Sequence, residues 1–480
     1  MQHMMRFPDG FLWGVATSAY QIEGAVRADG RGESIWDRFA HTPGNTVNGD
    51  TGDVACDHYH RFAEDVALMA DLGYKAYRFS IAWPRIQPTG RGPANPKGLD
   101  FYRRLVDCLL ERGITPMVTL YHWDLPQALQ EEGGWLNRDT AERFGDFASL
   151  MFEALGDRVQ LWLTHNEPWC ASMLGHFRGV HAPGLRDLRA GVISSHHILL
   201  SHGRAVAAFR SGGYRGQIGI APNLLPNYPL TDSTADREAT RISDGYVNRW
   251  FLDPVLNGRY PADMLEFYGR VVGPLDFIRE DDLAAMGAPV DFLGINYYRR
   301  RTIEADPTSE LGFKVHDIVP GTPTTVTGSE IVPECLYDLL LWVKAHYGDV
   351  PLYITENGMV RDDQIGPDGQ VHDPERIDFL RRHVAAAYRA IEAGVNLRGF
   401  FAWSFMDNFE WAFGYSQRFG LVYVDYATQR RIPKDSARWW GEVARRNGLD
   451  DADAALAEQP LVAGHSGAAP DRPMFTEREG

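Results

Sequence analysis

The sequence predicts an α/β chain folded as a single (β/α)8 TIM barrel, with long βα loops forming a cleft. Eight compact apolar runs of strand length alternate with helical stretches, the pattern of parallel β–α–β units. No GxGxxG follows the first run and no GxxxxGK[ST] occurs, which argues against nucleotide-binding sheets. The runs also end in polar side chains, at the face where a barrel of this kind carries its active site.

In chain order, Phe11 to Ala16 is the first strand, with Gln21 just past it. The polar stretch 28–57 reads as a long loop, a length usually reserved for function or disorder. His60 to Leu72 carries a helical stripe at Phe62, Val66 and Met69, closed by Gly73. The strand Lys75 to Ser80 follows, then a helix from Leu99 to Glu111 closed by Gly113, and a strand from Ile114 to His122. Thr140 to Leu155 is amphipathic and leads to the strand Val159 to Asn166. Leu188 to Phe209 is a long helix before the short strand Gln217 to Pro222. Residues 233–256 read as helical, and Asp291 to Tyr298 as a strand. Pro333 to Tyr347 leads to the strand Leu352 to Thr355. Asp378 to Ala393, closed by Gly394, leads to the last strand, Arg398 to Trp403. From Asp450 the composition turns to Ala, Asp, Gly and Pro without periodicity. The expected division is a catalytic barrel over 1–450 and a flexible tail over 451–480.

A length of 480 residues is compatible with one barrel, since barrels with insertions exceed roughly 400. The net charge of −16 argues against a nucleic-acid partner, which would need a basic footprint. Cys56, Cys108, Cys170 and Cys335 are scattered without metal spacing, which suits a reducing compartment. Met1 to Met5 lacks a signal-peptide pattern and no apolar run reaches membrane-spanning length, so a cytoplasmic location without a membrane partner is expected. Asp50, Asp53, Asp57, His58 and His60 lack the order of a calcium loop, and His196, His197 and His202 lack zinc-helix spacing. Neither a metal nor a cofactor is expected.

The strand ends read Gln21, Arg78, His122, Asn166, Glu167, Asn296, Tyr298, Glu356 and Trp403. Turn chemistry would more often place Gly, Ser or Asp there. Such a rim suits a polyhydroxylated ligand. Glu167 and Glu356 end the fourth and seventh strands, nearly opposite in an eight-stranded barrel. Each stands beside an amide, Asn166 or Asn357, rather than in a charge run. Cleaving an acetal requires a proton for the leaving oxygen and a negative group for the developing oxocarbenium ion, which two carboxyls supply. A lone histidine is usually a core residue, but His122 in Tyr121-His122-Trp123-Asp124-Leu125-Pro126 sits at a strand end and favours the ligand reading.

Three further stretches make the sequence resemble glycoside hydrolase family 1, the β-glucosidase and β-galactosidase group, from Phe7 to about Gly448. Phe11 to Gly24 resembles its N-terminal signature. Thr164-His165-Asn166-Glu167-Pro168 resembles its acid/base motif, with His165 where an apolar residue is common. Ile354-Thr355-Glu356-Asn357-Gly358 resembles its nucleophile motif. The resemblance implies Glu356 as nucleophile and Glu167 as general acid and later base, with retention of configuration. Arg78 and Tyr298 would hold Glu356 ionised, and Asn166 would bond the sugar 2-hydroxyl. Gln21, His122, Trp123 and Asn296 match further positions around the same ring. The run Trp403 to Trp411, continued to Phe419, resembles the glycone floor. Trp403 and Trp411 would lie under the sugar, and Glu410 would accept from its 4- and 6-hydroxyls. An anionic Glu410 would repel phosphate, which implies an unphosphorylated glycone. Trp169 and Cys170 fall on the aglycone side, with Leu174 narrowing the entrance.

The resemblance implies an exo-β-glycosidase acting on small β-glucosides such as cellobiose or aryl glucosides, with side activity on β-galactosides and β-fucosides. A transglycosylating enzyme and a non-catalytic sugar-binding relative are the alternatives; the latter would lack one of the two glutamates. A homo-oligomer is compatible with a barrel of this size.

Overall fold

The structure, a computed structural model, describes residues 4–459. Eight parallel strands close a barrel in chain order: β1 Leu12–Ala16, β2 Ala76–Ser80, β3 Thr115–Tyr121, β4 Leu161–Asn166, β5 Gln217–Ala221, β6 Phe292–Asn296, β7 Leu352–Asn357 and β8 Leu397–Trp403. β8 returns to β1 with Gly399 opposite Leu12 and Trp403 opposite Ala16. The expected strands are all present, with ends displaced by a residue or two.

These runs form strands because both of their faces are buried. Ala16, Ala76, Met117, Leu161, Leu163, Ala221, Phe292 and Phe401 fill the interior as a packed plug rather than a pore. Gly14 is needed there, because a Cβ would lie 2.4 Å from the Phe401 ring. The register slips between Leu163 and Asn166 on β4 and between Ile354 and Glu356 on β7. Such irregularities re-aim side chains at the rim of a barrel. Here they fall at the ends of the two strands that carry Glu167 and Glu356.

Amphipathic helices cover the outside, among them His58–Leu72, Pro96–Glu111, Asp139–Leu155, Leu188–Ser211, Pro333–Tyr347, Pro374–Glu392 and Asp435–Arg446. The stretch expected as one helix over 233–256 is Thr234–Asp244, a π-turn Gly245–Arg249, and Trp250–Asn257. The region 28–57 is not purely loop. It contains the helix Ile35–Ala40, whose capping box pairs Ser34 with Asp37, a local signal hidden by polar neighbours. The segment expected as a tail begins with the helix Asp451–Ala457, where Asp453 accepts from Arg381 Nε at 2.8 Å and from Trp439 Nε1 at 3.0 Å. The barrel's packing therefore extends past residue 450; residues 460–480 of that expectation lie outside the described residues. Among the described residues, no helix is long and apolar enough to cross a membrane.

Candidate active site

The C-terminal ends of the strands surround one cavity. It is lined by His122, Trp123, Asn166, Glu167, Trp169, Asn296, Tyr298, Glu356, Trp403, Glu410, Trp411 and Phe419 from the sequence reading. Glu356 ends β7 with its carboxylate held from two sides. Arg78 Nη1 donates to Oε1 at 2.6 Å and the Tyr298 hydroxyl to Oε2 at 2.7 Å. Arg78 is fully buried on β2, so its charge is opposed by little solvent.

Asn166 links the two carboxyls. Its Oδ1 accepts from Arg78 Nη2 at 2.5 Å and from Asn296 Nδ2 at 2.9 Å, which fixes its amide orientation. Its Nδ2 then faces His122 Nε2 at 3.0 Å. Accepting there, His122 carries its proton on Nδ1, which is buried and without a partner among the described residues. Burial, and secondarily the charge of Arg78, holds His122 far below the ordinary histidine value, so the ring is neutral. Asn296 Nδ2 also donates to Glu167 Oε1 at 2.8 Å, while its Oδ1 accepts from Thr355 at 2.7 Å.

Glu167 thus has an amide partner where Glu356 has a guanidinium and a phenol. Burial, reinforced by the charge of Glu356, pushes Glu167 up to about 7. Burial also raises Glu356, but Arg78 and Tyr298 oppose it, and they favour the charged form. These partners favour the carboxylate form more at Glu356 than at Glu167. Glu167 itself has a positive φ of 46°, as have Trp123 at 80° and Trp411 at 51°. Three strained non-glycine residues around one cavity are held there by their surroundings, a pattern concentrated at functional sites.

The opposite wall is aromatic. His122 lies parallel to Trp403 and to Trp411, with ring centroids 5.9 Å apart in each case, and Trp123 is 4.5 Å from Trp411. Gln21 does not line the cavity but lies behind it, fully buried. Its Nε2 donates to Asn408 Oδ1 at 2.9 Å, Phe409 O at 2.9 Å and Glu410 Oε2 at 3.3 Å. The expectation of a charged Glu410 is corrected. Burial, then the charges of Glu356 and Glu167, push it up to about 8, so in the unliganded site it is largely protonated at neutral pH. The lining contains no lysine among the described residues but does contain Arg299, paired with Asp317, and Arg301, so any repulsion of phosphate comes from Glu356.

Leu174 is a second correction. It does not line the cavity; its carbonyl accepts from Val180 N at 3.1 Å and His181 N at 3.2 Å, and it is His181 that reaches the wall. The sequence reading also missed Asn223, Leu225, Arg299, Arg301 and Phe413 in the lining. Arg299 and Arg301 had a signal, a run of three arginines directly after Tyr298, and Phe413 lies within the run from Trp403 to Phe419; Asn223 and Leu225 lie on a loop without one. The acids Asp53 and Asp57 pair with His41 and His60, and His58 pairs with Asp65. Among the described residues no three His, Cys, Asp or Glu side chains gather as a metal site.

A closed barrel with two linked, buried glutamates of unequal acidity at its strand ends has the makings of a glycoside hydrolase, in which one carboxyl donates a proton and the other meets the cation. The profile of glycosyl hydrolase family 1 matches residues 3–449. The chain is 52% identical over 444 residues to β-glucosidase A of Acetivibrio thermocellus, covering 92% of this chain and 99% of that protein. It is 47% identical over 455 residues to a bifunctional β-D-glucosidase/β-D-fucosidase of Bifidobacterium breve, covering 91% and 97%. The solved family 1 β-glucosidase of Thermotoga maritima superposes with a TM-score of 0.90 at 50% identity, covering 93% of this chain and all of that one. The chain belongs to glycosyl hydrolase family 1.

Proposed function

We propose that this enzyme is a retaining exo-β-glycosidase, chiefly a β-glucosidase acting on terminal non-reducing β-D-glucosyl residues of small glucosides, with β-galactoside and β-fucoside turnover beside it. The observation that carries the reading is the unequal pair. Glu356 is tied to a guanidinium and a phenol, and Glu167 to an amide. The names of the Acetivibrio and Bifidobacterium relatives support the substrate class.

In the first step a Glu356 oxygen attacks the anomeric carbon while Glu167 gives its proton to the leaving oxygen. The glycosyl ester that forms is neutral at Glu356. The repulsion that raised Glu167 disappears with that charge, so Glu167, now a carboxylate, takes a proton from water. The resulting hydroxide equivalent attacks the same carbon as the ester bond to Glu356 breaks, which releases the sugar with its original configuration, leaves Glu356 as a carboxylate again and leaves Glu167 holding the proton taken from water. Asn166, with its amide fixed by Arg78, Asn296 and His122, meets the 2-hydroxyl, where contacts strengthen in the transition state. Trp403 and Trp411 support the ring's apolar face, and His122 Nδ1 and Glu410 take hydroxyls. Gln21 acts through Glu410, and Trp169 meets the leaving group. Gln21 and Asn408 are buried behind the cavity, which suits a terminal residue rather than a chain passing through. The four free cysteines suit a reducing, cytoplasmic setting.

The test is the anomeric configuration of the first glucose released from p-nitrophenyl β-glucoside, followed by proton NMR before mutarotation. β-Glucose first is expected; α-glucose first would overturn the retaining mechanism.

A further inference from the structure

A buried ionic network lies behind the glycone floor. Lys434, at the junction of the strand Arg430–Pro433 and the helix Asp435–Arg446, is fully buried. Its Nζ donates to Asp363 Oδ2 at 2.6 Å and to Asp407 Oδ1 at 2.8 Å. Asp363 belongs to the loop that leaves β7 after Glu356. Asp407 belongs to the run between Trp403 and Glu410. One ammonium group therefore joins the loop of the proposed nucleophile to the loop of the proposed sugar floor.

The neighbours reinforce the joint. Asp407 Oδ1 also accepts from Gly420 N at 3.0 Å, and its Oδ2 from Arg418 Nη1 at 2.5 Å. Phe419, a cavity residue, is thus held on both sides by one carboxylate. Arg376 Nη2 donates to Asp363 Oδ2 at 2.7 Å and to Arg418 O at 3.1 Å, and Arg376 also bonds Asp373. Asp363, Asp373 and Asp407 face Arg376, Arg418 and Lys434, so the cluster is balanced in a region where an uncompensated charge is costly.

We propose that Lys434 is a positioning residue for glycone specificity. By tying Asp407 to Asp363 it sets Glu410, Trp411 and Phe419 at their height over Glu356. This rests on the reading of Glu410 as the partner of the 4- and 6-hydroxyls. Methionine at 434 would fill the same volume but leave Asp363 and Asp407 facing each other without their shared cation. The two loops would separate, and the part of the sugar farthest from the anomeric carbon would lose its contacts first. A cluster that only stabilises the fold would instead affect all substrates alike.

The experiment compares kcat/KM on p-nitrophenyl β-glucoside with that on p-nitrophenyl β-xyloside, which lacks the 6-hydroxymethyl group. It is run in the wild type, Lys434→Met, Glu410→Gln and the pair Lys434→Met/Glu410→Gln, with melting temperature checking the fold. In Lys434→Met the glucoside value is expected to fall about 10–100-fold, mainly through KM, the scale of a small misplacement in a preorganised site. The xyloside keeps the 4-hydroxyl and should also lose activity, but at least about threefold less than the glucoside, and adding Lys434→Met to Glu410→Gln should change the ratio no further, since both act through one contact. Equal losses on the two substrates, or an unchanged ratio in a folded variant, would overturn the proposal. An unchanged ratio in Glu410→Gln alone would overturn the reading of Glu410 instead. Should Lys434→Met not fold, Asp363→Asn/Lys434→Met, which removes one charge of each sign, carries the same comparison with the same outcomes.

Discussion

Replacing Tyr298 by Phe removes one oxygen and leaves the ring that packs 6.0 Å from Phe419. The lost bond is the 2.7 Å contact to Glu356 Oε2. A hydrogen bond to a charged group contributes about 1.5–3 kcal/mol. At about 1.4 kcal/mol per pKa unit, its loss raises the Glu356 pKa by about 1–2 units. The sign follows from the charge, because the phenol favours the carboxylate and its removal favours the acid. The acid limb of the kcat/KM profile on p-nitrophenyl β-glucoside should move to higher pH by that amount. The phenol also fixes which carboxylate oxygen faces the sugar, and loss of that orientation lowers kcat/KM about 10–100-fold. The basic limb, set by Glu167, should move much less. An acid limb that stays in place while activity falls would refute the assignment of Tyr298 as the group that keeps Glu356 charged.

Glu410 offers a stability test. Its value near 8 in the folded protein lies above the ordinary 4.5, so its contribution is fully present below about pH 4.5 and is lost as pH rises through about 8. The full shift corresponds to at most about 5 kcal/mol, which partial solvent access reduces to about 1–3. Glu410→Gln should therefore gain melting temperature relative to wild type between pH 5 and about pH 8.5; a constant difference across that range contradicts the perturbed carboxyl. Deleting residues 460–480 should leave kcat unchanged. Deletion from Asp451 removes the Asp453 bonds to Arg381 and Trp439 and should lower the melting temperature by a few degrees; equal melting temperatures would show that the helix adds nothing. On p-nitrophenyl β-6-phosphoglucoside, turnover should be at least about 100-fold below that on the glucoside, about 2.7 kcal/mol in selectivity, and a preference for the phosphorylated substrate would contradict an unphosphorylated glycone.

The barrel was legible because its strands are apolar runs with polar ends and its helices carry regular stripes closed by Gly73 or Gly113. A strand buried on both faces must read this way. The proposed catalytic pair was legible for a related reason. A glutamate ending an apolar strand beside an amide has few structural roles. Less could be read where several short-range signals compete. The Ser34 and Asp37 capping box lies among polar residues that also read as loop, and the helix at Asp451 follows a change in composition. His181, Asn223 and Leu225 come to the cavity only through tertiary packing of loops, which no periodicity encodes. Leu174 shows the converse, since adjacency to Glu167 in sequence did not put it in the wall; the π-helix Cys170–Phe177 turned it away. Glu410 reaches the cavity, but its charge depends on burial and then on Glu356 and Glu167, a fact of three-dimensional proximity.

The central claim is the division of labour between Glu356 and Glu167, and rescue chemistry tests it most directly. With Glu356→Ala, turnover of an activated aryl β-glucoside should be lost, and added azide should attack the exposed face of the anomeric carbon. The account predicts an α-glucosyl azide as product. Formation of the β-glucosyl azide would mean that azide replaces the acid/base rather than the nucleophile, and the two roles would have to be exchanged.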